Sequence, residues 1–150
     1  MGERALKRLL VTRCSRSLLS KFVTIFMKKD GFPYCIPDKR DLSETELTLL
    51  NHLLPQLQGL TVEANELKVV ARCGCGECPT ILFGKSIDDE PITSSDSHAE
   101  MDWSGRAENG TLVGIGIFTK GGVPTELEAW SVDGGIVETW PPIDTIKRMR

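Results

Sequence analysis

The spacing of apolar positions along this chain changes twice. Leu6, Leu10, Cys14, Leu18, Phe22 and Phe26 recur every four residues with Arg and Lys between them, which is the pattern of a basic amphipathic helix. Gly31 to Asp38 breaks that period: Pro33 and Pro37 steer the residues before them away from helical angles, so this stretch reads as an extended strap. Helical spacing returns at Ser43. Ser43-Glu44-Thr45-Glu46 has the form of a capping box, and Leu47, Leu50, Leu53, Leu54 and Leu57 make one apolar stripe that Pro55 ends or kinks near Leu54.

From Glu66 the period shortens to two. Leu67, Val69 and Ala71 alternate against Lys68, Val70 and Arg72, predicting a half-buried strand, and Thr80 to Lys85 predicts a second. A polar connection from Ile87 to Ser97 leads to Glu100–Arg106 and Thr111–Thr119, which flank Asn109-Gly110, a strong hairpin signal. In the second of these, Gly114 and Gly116 leave one face bare, suited to close approach by a helix or a large ring. Thr125–Val132 and Ile136–Trp140 flank the turn Asp133-Gly134-Gly135, and Pro141-Pro142 stops the run. The pattern predicts an α+β fold: an N-terminal helix packed on an antiparallel meander sheet of five or six strands.

Charge divides the chain. Residues 1–29 carry eight basic side chains and one acidic, a net of +7, whereas from Asp30 onward ten basic face twenty acidic, a net of −10. We therefore expect a basic leader over 1–29 and a single domain over 30–150. The leader has three readings: translated upstream sequence ahead of Met27-Lys28-Lys29, a docked helix, or a targeting peptide. Lys21, Lys28 and the arginines interrupt every candidate for the ~18–20 uncharged apolar residues of a membrane span. An odd cysteine count without a secretory signal predicts reduced thiols and a cytoplasmic location.

Three of the five cysteines, Cys73, Cys75 and Cys78, fall in Arg72-Cys73-Gly74-Cys75-Gly76-Glu77-Cys78-Pro79-Thr80, between the first two predicted strands. Three readings compete there. Small thiols pack well inside a tight turn. Thiolates at 73, 75 and 78 could converge on one zinc, with Cys35, His98 or His52 as candidate fourth ligand. A redox pair is the third, although Cys-x-x-Cys ordinarily gains its reactivity at a helix N-terminus and here a strand follows. The expectation is no cofactor, with zinc as the alternative.

Two other constellations look chemical. Ser94 to His98 with Asp102 holds the ingredients of a serine triad, but triad members come from separate packed elements and these are neighbours in one loop, so no catalytic residue is assigned. Alternation turns Glu126, Glu128 and Trp130 to one side of a strand, a solvated face whose composition suits a basic partner.

The stretch from Ser43 to Pro142, about two thirds of the chain, resembles a group of small bacterial proteins of uncharacterised function. The residues that carry the likeness are Arg72, Cys73, Gly76, Cys78, Pro79 and Thr80, then Leu127-Glu128-Ala129-Trp130, Asp133-Gly134 and Pro141. The basic leader, Glu77, and Thr80 in place of a usual serine depart from that pattern. The resemblance implies the fold and no activity.

The acidic domain repels nucleic acid and speeds encounter with basic surfaces. The expected function is accordingly a small binding protein, antitoxin-like or an inhibitor of a basic or nucleic-acid-handling partner. The alternative is a metal- or thiol-dependent enzyme, or a zinc-stabilised domain, built on Cys73, Cys75 and Cys78.

Overall fold

A computed structural model describes residues 34–92 and 98–149. The leader and Ser94 to Ser97 lie outside the described residues. In chain order the elements are β1 (Cys35–Arg40), α1 (Glu44–Leu53), β2 (Lys68–Cys73), β3 (Ile81–Gly84), β4 (His98–Arg106), β5 (Leu112–Lys120), β6 (Val123–Ser131) and β7 (Lys147–Arg148). Short 3-10 turns occupy Leu54–Gln56, Ala64–Glu66 and Ile143–Thr145.

The strands form one seven-stranded antiparallel sheet in the order β1-β2-β3-β6-β5-β4-β7. The α+β class therefore stands, with four corrections, the first being that the described strands number seven rather than five or six. Among the described residues the helix is not the first element, because Cys35–Arg40 is an edge strand on β2 rather than a strap. Its Pro37 is tolerated because an edge strand has one side without ladder bonds. Ile136–Trp140 is not a strand, whereas the two-residue β7 closes the far edge on β4. Nor is the sheet one meander: β1-β2-β3 and β4-β5-β6 are each consecutive, and β3 joins the second unit through β6.

Helix α1 begins as its sequence dictates. Ser43 Oγ accepts the Glu46 N–H at 3.2 Å, and Glu46 Oε2 accepts the Ser43 N–H at 2.8 Å. Arg40 from β1 then grips the same carboxylate through two nitrogens, each at 2.8 Å, tying the helix start to the sheet edge. Leu49, Leu50, Leu53 and Leu54 bury the helix stripe against Val69, Phe83, Ile115, Ile117 and Leu127, so α1 covers one face of the sheet.

On that side Trp103 is 1% exposed, and its indole N–H donates to Gln56 Oε1 at 3.0 Å, which satisfies the ring's one polar atom. The Asn109-Gly110 turn closes as expected, with the Ala107 N–H donating to Thr111 O and the Gly110 N–H to Ala107 O, both at 2.9 Å.

A candidate metal centre at the turn between β2 and β3

A break in the alternation of β2 places the cysteines. Val69 pairs with Phe83, yet Ala71 pairs with Leu82, so Val70 is an extra residue in the ladder. The bulge reverses the phase of the strand. Val69 packs under α1, whereas Val70 and Ala71 join Leu82 and Cys35 in a separate cluster on the opposite face. Straight alternation would have put Cys73 under the helix; with the bulge it stands with Cys35, its directly opposed neighbour on β1.

The turn beyond Cys73 is tight. The Cys73 N–H donates to Thr80 O at 3.1 Å and the Gly76 N–H to Cys73 O at 3.0 Å. Gly76 has φ of +72°, a left-handed conformation that a side chain would strain. Arg72 reaches back to cap the Gly76 carbonyl at 3.3 Å. Thr80 anchors the far side: its hydroxyl accepts the Ala129 N–H at 2.9 Å and extends the β3–β6 pairing one step beyond the backbone ladder.

Within this turn Cys75 Sγ accepts two backbone N–H groups, from Glu77 at 3.4 Å and from Cys78 at 3.3 Å. The sulfurs of Cys73, Cys75 and Cys78 lie within 4.8 Å of one another. A tetrahedral zinc with Zn–S of ~2.3 Å places its sulfurs ~3.8 Å apart, so closure about an ion needs only small side-chain movements. The hydrogen bond from the Cys73 thiol, with the two amides, lowers Cys75 to about 6. Cys73 moves the other way, its proton held by that hydrogen bond to Cys75 and by burial. The two thiols are thus driven apart, Cys75 toward the thiolate and Cys73 toward the protonated form.

Cys35, Cys73 and Cys75 are thiols. Cys78 is disulfide-bonded, which departs from the expectation of reduced thiols throughout. The sulfur of Cys78 can be half of a disulfide or a metal ligand but not both, so a metal-bound state requires its reduction.

Of the candidate fourth ligands, Cys35 is half-buried beside Cys73; burial, then the carboxylates of Glu126 and Glu90, push its thiol up. His98 starts β4, four strand positions from β2 across the sheet. At ~4.8 Å per strand that is roughly 19 Å, too far to share a metal with Cys73. His52 is exposed near the C-terminal end of α1. Ser94 to Ser97 lie outside the described residues.

Glu126, Glu128 and Trp130 do share a face of β6, but it is not the solvated face expected. Glu126 is 2% exposed and Glu128 4%, on the side of the sheet away from α1. The carboxylate of Glu126 lies close enough to raise both Cys35 and Cys73. Alternation found the shared face; it carries no signal for whether that face is covered.

A concave surface instead lies beside the cysteine turn. A cleft of about 770 Å³ runs between the start of α1, the Cys78-Pro79-Thr80 wall and residues 138–143. Its charged lining comprises Asp38, Arg40, Glu44, Glu46, Arg72, Glu108 and Glu138, with Trp140 as its aromatic. Arg40 is already engaged by Glu46 and by Asp38 at 3.0 Å. Among its charged lining residues the exposed Glu44, Glu108 and Glu138 therefore outnumber the remaining cation, Arg72.

Among the described residues, no helix is long and apolar enough to cross a membrane. No family model matches the chain, and comparison with curated proteins and with solved structures gave no match.

Proposed function

We propose that Cys73, Cys75 and Cys78 hold a zinc ion that stabilises this domain. The observation that carries the reading is the double N–H donation to Cys75 Sγ, one of three sulfurs that lie within 4.8 Å of one another. Backbone amides offset the negative charge that thiolate ligands concentrate around a metal. Zinc suits such a set because thiolates in a closed tetrahedral site are its usual structural ligands. The redox reading has less support, since no helix N-terminus meets the cysteines and β3 follows them directly. A structural zinc contributes its binding free energy to folding. Chelation of the reduced protein should lower its melting temperature, and Cys75→Ser should abolish that response. A melting temperature indifferent to chelator would overturn the reading.

A second reading concerns what the domain binds, and the cleft supports it. Glu44, Glu108 and Glu138 around half-buried Trp140 suit a Lys- or Arg-bearing segment of a partner protein, through charge and cation–π contact. The −10 balance from Asp30 onward favours the same class of partner. This keeps the expected binding function, as an antitoxin-like protein or an inhibitor of a basic or nucleic-acid-handling partner, and moves its surface from Glu126 and Glu128 to the cleft. Titration with a Lys/Arg-rich peptide should show salt-sensitive binding that Glu138→Gln weakens. Equal binding of a Glu-rich peptide would contradict it.

A further inference from the structure

We infer that Cys35 is the fourth ligand, so that the centre is a four-cysteine site joining β1 to the end of β2 and the turn that follows it; the inference rests on the zinc reading above. Cys35 and Cys73 are directly opposed across β1 and β2. The ladder bonds do not join this pair. The Cys73 N–H turns away to the carbonyl of Thr80, just before β3, and the neighbouring Gly74 N–H donates to Tyr34 O at 2.9 Å. In a pair of this kind the Cα atoms approach to ~4.5 Å and the side chains stand closer than elsewhere in the ladder. Both side chains share the face created by the Val70 bulge, where Cys35 packs with Val70, Ala71 and Leu82. The Cys35 sulfur stands outside the group of three that lie within 4.8 Å of one another, so ligation requires its side chain to turn toward Cys73 from the same face of the sheet.

The bulge acquires a purpose on this account. Without it Cys73 would lie under α1, on the opposite side of the sheet from Cys35. With it, one hairpin turn supplies three ligands and the sheet edge supplies the fourth. A metal there would clamp β1 to the β2–β3 turn and secure an edge strand that contains Pro37. On binding, the metal replaces the thiol proton of Cys35, which passes to solvent.

The test uses the full chain, reduced so that Cys78 is a thiol and loaded with Co²⁺ as a visible stand-in for zinc. The sulfur-to-cobalt charge-transfer band grows with the number of thiolates bound. The wild type should show a four-thiolate spectrum, and Cys35→Ser should lose about a quarter of that band. Its cobalt affinity should fall by at least the ~10–100-fold that losing an outer-shell partner costs. Cys35→His, which restores a ligand atom, should regain affinity with a shifted band; this separates ligation from a folding defect. A Cys35→Ser spectrum equal to wild type would overturn the inference, as would loss of the band in Cys14→Ser with none in Cys35→Ser. Absence of any thiolate–cobalt band in the wild type would instead remove the zinc reading itself.

Discussion

The indole of Trp130 lies flat across Gly114 on the neighbouring strand, occupying the space where a side chain at 114 would be. The same ring also reaches Gly116, whose Cβ position is 3.3 Å from Trp130 Cζ3. Two glycines in one strand are thus the floor on which one large side chain rests. Gly114→Ala should overpack the contact and cost about 1–3 kcal/mol. Trp130→Ala should remove most of that penalty, so the double variant should be far from additive. Denaturant titration of the four proteins checks this; additive losses would mean that the ring does not need the bare backbone.

Thr80 should matter through its hydroxyl. Its side chain is 2% exposed and accepts the Ala129 N–H. Thr80→Val leaves that buried donor unpaired and should cost about 1–3 kcal/mol, whereas Thr80→Ser should keep most of the stability. Equal losses in the two variants would point to packing rather than to the hydrogen bond.

The Arg40–Glu46 pair predicts a pH dependence. Burial pushes the Glu46 carboxyl up, but the hydrogen bonds from Arg40 and Ser43 outweigh it and hold the carboxyl below its ordinary 4.5. A depressed folded value contributes stability that is present above 4.5 and lost as the pH falls through the lower folded value. Glu46→Gln should therefore be less stable than wild type at neutral pH, by about 1–2 kcal/mol for a partly solvated pair with a helix cap. The difference should shrink in acid. A gap that stays constant across the titration would contradict the assignment.

Cysteine reactivity should be uneven. In reduced, metal-free protein kept cold enough to stay folded, alkylation of Cys75 should follow a midpoint near its lowered value of about 6. Cys73, pushed up by its hydrogen bond to Cys75 and by burial, should resist labelling until the turn opens. Peptide mapping after alkylation across a pH series reads both. Parallel labelling of the two, with a common midpoint near the ordinary 9.0, would contradict the hydrogen-bonded pair.

The legible parts of this fold are those whose causes are local in sequence. Ser43 and Glu46 are three residues apart and define their own cap, and Asn109-Gly110 defines its own turn. The bare face of β5 predicted close approach by a helix or a large ring, and the Trp130 ring takes that place. The edges were hidden because they depend on distant partners: Cys35 pairs with Cys73, and Trp103 with Arg148. Three consecutive apolar residues, Val69-Val70-Ala71, were the trace of the bulge, and regular alternation absorbed it. Glu126 and Glu128 were misplaced for a related reason, since period two identifies a face but not its cover. At the site, the residue types and spacing named Cys73, Cys75 and Cys78. Only the folded turn shows their sulfurs converging and the amides aimed at Cys75.

The most direct test of the metal centre is the zinc content of the full chain, purified under reducing conditions and dialysed against metal-free buffer. About one zinc per chain is expected, retained through dialysis because structural sites bind with roughly 10–16 kcal/mol. That zinc should be lost in Cys73→Ser, Cys75→Ser and Cys78→Ser alike. Protein that is folded and reduced yet carries no zinc would contradict that expectation, and would leave the three cysteines as thiols packed in a turn.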